Sequence, residues 1–370
     1  MNKFAFIIHP IDVRADASRK YPAMRFLPVR AIESLIQKMS PSLVSHITGI
    51  QSITGAQAEG WLVACPLSPR QMVELPTEFV YEKILKAARI GAAQGAKIVG
   101  LGAFTSVAGD AGVTIAKRLE GEINVTTGNS YTIYTAVEGL LQAAQMMEID
   151  VAKSQAVVIG ATGSIGAVCA KMLANQVAGV SLVGRNREKL ESLRAEIKST
   201  AAGSSTPAEI TVADNIPTAL READLVLTVS SSTDVLIYPA DLKSGAIVCD
   251  AARPRDVSRQ VAEERDDVLV IEGGVIEVPG EVEFNFDFGF PTKTAYACMS
   301  ETMLLALEGT YEPYTLGREL SVERVENIGK IARKHGFKLS GFRSFERAIG
   351  AQEIERVRQN ARRSSSASLC

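Results

Sequence analysis

The sequence predicts an α/β protein with two domains, an N-terminal α/β substrate domain and a C-terminal doubly wound parallel sheet. Three observations support this fold class. The chain has 370 residues, more than one hydrophobic core usually organises. Short apolar runs alternate with helical patterns, which is typical of βα units. In the second half six such runs follow one another, as expected for a complete doubly wound sheet.

The composition is that of a globular protein and excludes several function classes. Hydrophobic residues make up 46% and charged residues 22% of the chain, so a sizeable core is expected. The net charge of −2 gives no electrostatic reason to expect a nucleic-acid partner. No apolar run approaches the roughly 18–20 residues of a transmembrane segment. The five scattered cysteines, without a CxxC pair, favour free thiols and a cytoplasmic location.

The secondary structure of the first half is predicted from apolar periodicity. Strands are predicted at residues 4–9, 44–54, 60–64, 97–104 and 123–125. Helices are predicted at residues 79–94 and 131–147, where apolar residues recur at helical spacing. A polar stretch at residues 150–154 marks the expected domain boundary.

The second half is predicted to be a regular β/α series. Strands are expected at residues 156–159, 180–183, 210–212, 225–229, 246–250 and 268–271. Helices are expected at residues 166–176, 188–197, 292–308 and 322–334. The tail after residue 341 is rich in Arg and then in Ser, and we expect it to be partly disordered.

A glycine-rich turn follows the first strand of this series. Residues 160–166 read Gly-Ala-Thr-Gly-Ser-Ile-Gly, directly after an apolar strand and directly before a helical pattern. This context predicts a Rossmann-type dinucleotide site, in which Gly160 allows a tight turn, Gly163 admits the pyrophosphate and Gly166 permits close packing. The helix start would donate amides to the phosphates, so the predicted site also includes Thr162, Ser164 and Ile165. The alternative is a tight turn without a ligand.

The end of the second strand indicates which nicotinamide cofactor is bound. Enzymes that use NAD usually carry Asp or Glu at this point, on the ribose 2′-hydroxyl. This chain instead reads Gly-Arg-Asn-Arg at residues 184–187. Because a guanidinium suits a phosphate dianion, we predict NADPH, with Arg185 on the 2′-phosphate and Asn186 and Arg187 beside it. A solvated arginine pair is the alternative.

Cys298 is the candidate nucleophile. It lies in the early turns of a predicted helix, where the helix dipole favours a thiolate, and Lys293 could add to this effect. The alternative is a small buried residue on a helix face. Cys169 and Cys249 are expected to be structural. The three histidines, at positions 9, 46 and 335, lie far apart, so no sequence-local metal site is predicted.

Six stretches, taken in order, form a recognisable set; they are residues 101–106, 126–132, 158–166, 272–275, 296–305 and 333–337. Together they resemble the long-chain acyl-[acyl-carrier-protein] reductases of the cyanobacterial type, which form fatty aldehydes, and the resemblance covers roughly residues 1–340. The Thr-Thr-Gly-Asn turn at residues 126–129, together with the Ala-Cys helix segment, is specific to that family. The resemblance implies that Cys298 is the nucleophile. The tail, residues 294–296 and the loop at residues 250–254 depart from the family pattern.

The resemblance implies an enzyme that reduces a long-chain acyl thioester to a fatty aldehyde with NADPH, through a thioacyl intermediate on Cys298. A thiol suits this chemistry because thioester exchange is nearly balanced, whereas an oxygen ester resists hydride. The expected oxyanion donors are amides at the helix start and the side chains of Ser106, Thr127 and Asn129, with ordinary turn capping as the alternative. His335 is a candidate proton shuttle, or a helix C-cap residue.

The expected partners follow from the same resemblance to acyl reductases of lipid metabolism. The acyl donor would be acyl carrier protein or acyl-CoA, and an aldehyde-consuming enzyme is a further expected partner. Two basic clusters would suit an acidic carrier, or are solvated faces; they comprise residues 14, 19, 20, 25 and 30, and residues 330, 333, 334 and 338. Phe284, Phe286, Phe288 and Phe290 alternate, and would line an acyl channel or cap a domain interface.

Four segments follow from these predictions. They are a substrate and catalytic-support domain at 1–150, an NADP-binding Rossmann domain at 151–290, helices at 291–340 that carry Cys298 back onto the first domain, and the tail at 341–370.

Two other functions remain open. One is a shikimate-like NADP-dependent dehydrogenase of a small hydroxy or amino acid, with a structural Cys298. It needs a Lys–Asp pair or a His base in the first domain, where Lys97 is the nearest lysine to a strand start. The other is a cofactor-sensing protein without turnover.

Overall fold

The computed structural model describes residues 1–200, 207–232, 234–252, 254–287, 289, 291–345 and 347–367. The chain forms two compact units. The first unit comprises Met1–Tyr131, Ile276–Glu319 and Asn327–Lys338. The second unit comprises Thr132–Val275, Leu320–Glu326 and Leu339–Cys370.

The helices and strands of the first half begin with β1 and continue to a long helix. They are β1 (Asn2–Ile8), α1 (Val13–Lys20), α2 (Val29–Lys38), β2 (Ser42–Gln51), β3 (Gln57–Ala64), α3 (Pro69–Glu74), α4 (Thr77–Ala93), β4 (Ile98–Leu101), α5 (Val113–Arg118), β5 (Asn124–Thr126) and α6 (Asn129–Met146). The predicted strand at 97–104 ends early because residues 103–106 form a 3₁₀ turn.

The β/α series follows. It comprises β6 (Gln155–Ile159), α7 (Ser164–Leu173), β7 (Gly179–Val183), α8 (Arg187–Thr200), β8 (Glu209–Val212), α9 (Ile216–Leu220), β9 (Leu225–Thr228), β10 (Ile247–Asp250), α10 (Arg259–Glu264) and β11 (Leu269–Glu272). The last part contains β12 (Val275–Glu277), β13 (Gly280–Glu283), β14 (Thr294–Tyr296), α11 (Ala297–Glu308), α12 (Val322–His335), β15 (Lys338–Leu339), β16 (Phe342–Ser344), β17 (Arg347–Ile349) and α13 (Ala351–Ala367). Within the described residues, no helix combines the length and apolarity needed to cross a membrane.

The first unit is built on a six-stranded mixed sheet of order β13-β2-β3-β1-β4-β5. Strands β3, β1, β4 and β5 are parallel, whereas β2 is antiparallel to β3 and to β13. Helices α4 and α11 cover opposite faces of β1. Gly91 of α4 lies against Ala5, while Thr302 of α11 lies beside Gly100 on the face of Phe6. Neighbouring residues of a strand point to opposite faces, so the sheet is buried on both sides.

The second unit confirms the predicted doubly wound sheet. Its order is β11-β10-β9-β6-β7-β8, and every pairing is parallel. Alternate residues of β6 contribute to two separate cores, Val158 to one and Val157 to the other. A strand buried on both faces has a continuous apolar sequence, which explains why these strands could be predicted from the sequence.

The boundary between the units falls inside α6 rather than at residue 150. From Thr132 onward α6 belongs to the second unit, because Ile133, Leu140 and Ala144 pack in its core. From Ile276 the chain belongs to the first unit again, because β13 pairs with β2. Helix α11, which carries Cys298, packs on β1 and β4 of the first unit.

The tail differs from the prediction of partial disorder. Strands β16 and β17 pair as a hairpin, and α13 follows it. Ile354, Val357 and Ala361 are buried, and their spacing of three and four residues forms a short apolar stripe. The prediction of disorder rested on composition, and the many Arg and Ser residues of the tail masked the spacing of these three apolar residues. Residues 368–370 lie outside the described residues.

Candidate functional site

The glycine turn of the second unit has the geometry that its sequence predicted. Gly160 has a φ of +85°, a conformation that favours glycine. A Cβ atom on Gly166 would lie 2.3 Å from the carbonyl oxygen of Gly160, and one on Gly160 would lie 2.9 Å from that of Val229. The two glycines therefore allow the strand, the turn and the start of α7 to pack without side chains between them.

The turn leaves a helix start free for an anionic ligand. Gly163 is the N-cap residue of α7 and contributes no side-chain cap to the first amides of the helix. These amides, at Ser164, Ile165 and Gly166, have no acceptor within the helix. Thr162 lies beside Gly184 at the end of β7. A close-packed glycine turn followed by an uncapped helix start fits the pyrophosphate of a dinucleotide.

The two arginines after β7 differ in their surroundings. The amide of Gly160 donates to the carbonyl of Val183, so the end of β7 lies against the glycine turn. Arg185 is exposed and makes no salt bridge with a described residue. Arg187 instead pairs with Asp214 at 2.5 Å. Asn186 accepts the amide of Lys189 at 2.9 Å and thereby caps α8. Arg185 is thus the guanidinium left available to a phosphate.

A buried polar network beside the glycine turn was not found from the sequence. Asp256 is buried and accepts hydrogen bonds from the hydroxyls of Thr228 and Ser230 and from the amide of Ser230. Ser230 is the residue that a Cβ on Gly160 would meet, at 3.0 Å. The network therefore holds the chain after β9 against the turn. Its members are dispersed in sequence, so no local pattern marks them.

Cys298 occupies the first turn of α11 in the first unit. The helix begins at Ala297 rather than near residue 292, because residues 294–296 form β14. Cys298 is therefore the second residue of the helix, and it is partly exposed. The backbone N–H groups of Met299, Cys298 and Ala103 favour its thiolate. This group of amides surrounds the sulfur with hydrogen-bond donors.

The expectation that the helix start yields a thiolate is corrected by the structure. Burial raises the pKa of the Cys298 thiol to about 12, and the Glu301 carboxyl adds to the rise. The three amides oppose this shift but are outweighed. Lys293, expected to help, pairs with Glu281 at 2.9 Å. Desolvation of the charged form therefore exceeds the dipole effect.

The Thr-Thr-Gly-Asn turn lies directly against Cys298. Gly128 has a φ of +77°, and a Cβ there would lie 2.4 Å from both Cα and Cβ of Cys298. The Thr127 hydroxyl donates to the carbonyl of Thr315 at 2.6 Å, so its proton is engaged. Asn129 begins α6, is 8% exposed, and has no side-chain hydrogen bond with a described residue. Of these polar side chains, Asn129 retains free donors.

Ser106 is hydrogen-bonded to Ala103, the residue whose backbone amide faces the Cys298 sulfur. Its hydroxyl donates to the carbonyl of Ala103 at 2.6 Å. Ala103 has a φ of +46°, a strained value for a residue with a Cβ. His9 holds the same turn, because its Nε2 accepts the amide of Phe104 at 3.1 Å. Burial lowers the pKa of His9 to about 4, so the ring is neutral.

Glu301 was not assigned a role from the sequence. It is fully buried one helical turn after Cys298. Its carboxyl accepts the hydroxyls of Thr126 and Thr315 at 2.5 and 2.8 Å, and the amide of Tyr131 at 2.8 Å. Burial raises its pKa. Glu301 thus fastens both ends of the turn to α11, and the available signal was an acidic residue inside an apolar helical run.

The structure does not bring His335 to Cys298, which corrects its prediction as a proton shuttle. His335 ends α12 and is buried. One ring nitrogen contacts the Ser52 hydroxyl and the other the Glu308 carboxylate, each at 2.8 Å. Glu308 is ten residues after Cys298 on α11, about 15 Å along the helix axis. His335 therefore joins α12 to the far end of that helix.

The aromatic row is described in part. Phe284 is buried and Phe286 is half-buried, continuing the inward face of β13 after Val282. Phe288 and Phe290 lie outside the described residues. The acyl-channel prediction stays a prediction.

Comparison with known proteins adds the family relationships. Residues 142–272, within the second unit, match the shikimate / quinate 5-dehydrogenase family. The chain is 28% identical to aminotransferase PigE from a Serratia species over 95% of this chain and 41% of PigE, so it spans less than half of that relative. It is 31% identical to the long-chain acyl-[acyl-carrier-protein] reductase of Synechococcus elongatus over 80% of this chain and 87% of that protein.

The solved structures with similar folds are more distant. The malic enzyme of Entamoeba histolytica aligns over 98% of this chain and 70% of its own, with 15% identity and a TM-score of 0.44. The sequence matches identify the second unit as the nicotinamide-cofactor domain of an NAD(P)-dependent reductase or dehydrogenase.

Proposed function

The chain belongs to the family of the long-chain acyl-[acyl-carrier-protein] reductase, and we propose that it reduces a long-chain acyl thioester to a fatty aldehyde with NADPH. The observation that carries this proposal is the surrounding of Cys298. Its thiol meets three backbone amides, and the glycine of the 126–130 turn lets that turn pack directly against Cys298, where a Cβ would clash. A structural cysteine needs no such arrangement.

The first step is thioester exchange at Cys298. Its sulfur attacks the acyl carbon and forms a new carbon–sulfur bond, the bond to the donor sulfur breaks, and the thiol proton ends on that sulfur. The carbonyl oxygen carries negative charge during the attack. The amide of Ala103, the amides at the start of α11 and the side chain of Asn129 are the donors available to it.

The second step releases the product. NADPH, when bound, supplies the hydride that reduces the thioacyl carbon. The resulting alkoxide takes a proton from solvent, and the carbon–sulfur bond of the hemithioacetal then breaks with that proton ending on the sulfur, so the aldehyde is freed and the Cys298 thiol is restored. Arg185 is assigned to the 2′-phosphate, because it is exposed and its neighbour Arg187 is already paired with Asp214.

Ser106 and Thr127 are positioning residues in this proposal rather than oxyanion donors. Each hydroxyl donates to a backbone carbonyl, that of Ala103 and that of Thr315. They keep the two loops in contact with Cys298 in one conformation. His335 takes no part in the proton transfer.

A small-molecule dehydrogenase is the second candidate, favoured by the shikimate / quinate 5-dehydrogenase match of residues 142–272. It requires a base near the carboxyl ends of the first sheet. Lys97 precedes β4 and therefore lies at the amino end of that strand, and its ammonium faces the ring of Tyr311 at 5.1 Å. This placement does not favour the second candidate.

Single-turnover mass spectrometry distinguishes the two. The protein is mixed with a long-chain acyl thioester in the absence of NADPH. The proposal expects a mass gain equal to the acyl group, lost in Cys298→Ser and discharged as aldehyde when NADPH is added. If neither acyl-[acyl-carrier-protein] nor acyl-CoA gives an adduct, the dehydrogenase is the better candidate.

A further inference from the structure

The two basic clusters of the first unit differ in how far their charge is neutralised. In the α12 cluster, Lys334 pairs with Glu308 and Lys338 pairs with Glu277. In the other cluster, Arg14, Arg25 and Arg30 are exposed and make no salt bridge with any described residue. Residues 11–30 hold five basic residues (14, 19, 20, 25 and 30) against two acidic ones (12 and 16), in a chain of net charge −2. We call residues 11–38 the basic hairpin; it contains α1 and α2.

The basic hairpin leaves the sheet at the carboxyl ends of its parallel strands, the edge of the sheet where Cys298 lies. It leaves the end of β1 and returns at the start of β2, and Ile8 and Ser42 both pair with Ala64. At this edge the amide of Gly102 donates to the carbonyl of Ile7, and the next residue is Ala103, whose amide faces the Cys298 sulfur. The hairpin therefore begins next to the strand that leads to Ala103, and it returns at the same end of the sheet, on β2.

Chain length limits how far Arg14 can lie from this edge. His9 contacts the amide of Phe104, one residue after Ala103. Arg14 follows His9 by five residues, which span at most about 18 Å even when fully extended. The α12 cluster is tied through Lys334 to Glu308, at the end of α11. Just after this end the Tyr311 hydroxyl contacts Asn2 at the start of β1, so the α12 cluster lies toward the amino ends of the strands.

The hairpin also exposes apolar side chains among its arginines. Phe26 is 76% exposed and Val29 is 41% exposed. The guanidinium of Arg25 stacks over the Phe26 ring at 4.6 Å, so this part of the surface combines an apolar ring with a positive charge. Aromatic and arginine side chains are the residues that most often dominate the energy of a protein interface.

We propose that the basic hairpin docks an acidic carrier protein that presents the acyl thioester to Cys298. The inference rests on the proposed function and assigns the donor to a carrier protein rather than to a free thioester. Positive charge at the edge that holds the nucleophile attracts an acidic partner, and the exposed Phe26 supplies apolar contact area. A small neutral thioester would gain nothing from this surface.

The test compares two donors in steady-state kinetics. Arg14→Glu, Arg25→Glu and the double variant are assayed with long-chain acyl-[acyl-carrier-protein] and with the same acyl group on neutral pantetheine. We expect kcat/KM for the carrier-bound donor to fall about tenfold for each reversal at low salt, and less at 0.5 M salt. We expect kcat/KM for acyl-pantetheine to stay within twofold. Lys330→Glu, an exposed reversal on α12, is the matched control and should leave both donors unchanged.

The possible outcomes separate this inference from the proposed function. An equal loss with both donors, or no loss with either, overturns the docking surface while wild-type turnover still supports the reductase. Failure of wild-type protein to reduce either donor overturns the proposed function itself. Binding to phosphatidylglycerol vesicles that Arg25→Glu abolishes, with unchanged carrier kinetics, would overturn the inference by assigning the surface to a membrane.

Discussion

Cys298 shows how two opposing effects at one residue are decided by magnitude. The helix start and the neighbouring amides favour its thiolate, whereas burial and Glu301 favour the thiol. The effect of burial is larger, so the Cys298 thiol is protonated at neutral pH. A protonated thiol resists oxidation and alkylation, because the thiolate is the reactive form.

The reactivity of Cys298 should therefore rise with pH without a plateau. The thiolate is the reactive form, and with a pKa of about 12 its fraction grows about tenfold for each pH unit through the range 7 to 10. The measurement is the rate of iodoacetamide labelling at Cys298, followed by peptide mass spectrometry, with Cys298→Ala as the blank. A rate that levels off below pH 8 would show that the amides dominate instead.

The two arginines after β7 should have unequal effects on cofactor binding. Arg185→Ala is expected to weaken NADPH binding at least about tenfold, because a charge-assisted contact contributes roughly 1.5–3 kcal/mol. Arg187→Ala should weaken it less, since Arg187 is bonded to Asp214. Fluorescence titrations with NADPH and NADH measure both effects, and NADH binding should be unchanged in Arg185→Ala. Equal losses for the two cofactors would refute the 2′-phosphate assignment.

At the scale of elements, the surroundings of Cys298 depend on two loops and one helix. The 126–130 turn is held through Glu301 to α11, and the 103–106 turn is held by Ser106 and His9. These contacts join residues far apart in the chain, so the groups around Cys298 are positioned by tertiary packing as well as by its own helix. Loops fixed in this way can supply oriented amides without reorganisation during the reaction.

Gly128→Ala tests the contact between the turn and the helix. The new Cβ would lie 2.4 Å from Cys298 atoms, so the turn must shift, and we expect the acylation rate to fall at least about tenfold, as misplacement near reacting atoms does. Gly121→Ala is the matched control: it has a φ of +79°, the same backbone strain, and no atoms within 4 Å. NADPH affinity should be unchanged in both. Similar acylation rates for the two variants would contradict the role of the turn.

At the scale of the whole molecule, each unit has its own core and its own chemical task. The second unit carries the glycine turn and Arg185, and the first carries Cys298 and its amides. Helix α13, from the part of the chain expected to be partly disordered, completes the core of the second unit through Ile354 and Val357. The core of the second unit therefore includes residues more than 180 positions after the glycine turn.

Removing one of these contacts should destabilise the protein measurably. Ile354→Ala deletes a buried side chain and is expected to cost about 2–5 kcal/mol of unfolding free energy. Gln352→Ala, an exposed change on the same helix, should have little effect. Thermal or urea unfolding measures both effects. The unfolding transition of the second unit is followed in the presence and in the absence of NADPH. A Tm for Ile354→Ala equal to that of wild type would show that the tail does not contribute to the core of the second unit.

The sequence by itself determined the parallel sheet of the second unit and its glycine turn. Strands buried on both faces appear as uninterrupted apolar runs, and the glycine turn needs a local pattern that seven residues display. Tertiary structure alone decided the surroundings of Cys298, because Ala103 and Gly128 reach it from two separate segments. It also decided that Arg185 is available and Arg187 is not, and that His335 lies far from the nucleophile. Local structural propensity can be read from neighbouring residues. The burial of a side chain, its charge partner and its distance from another residue are set only when distant segments of the chain pack together.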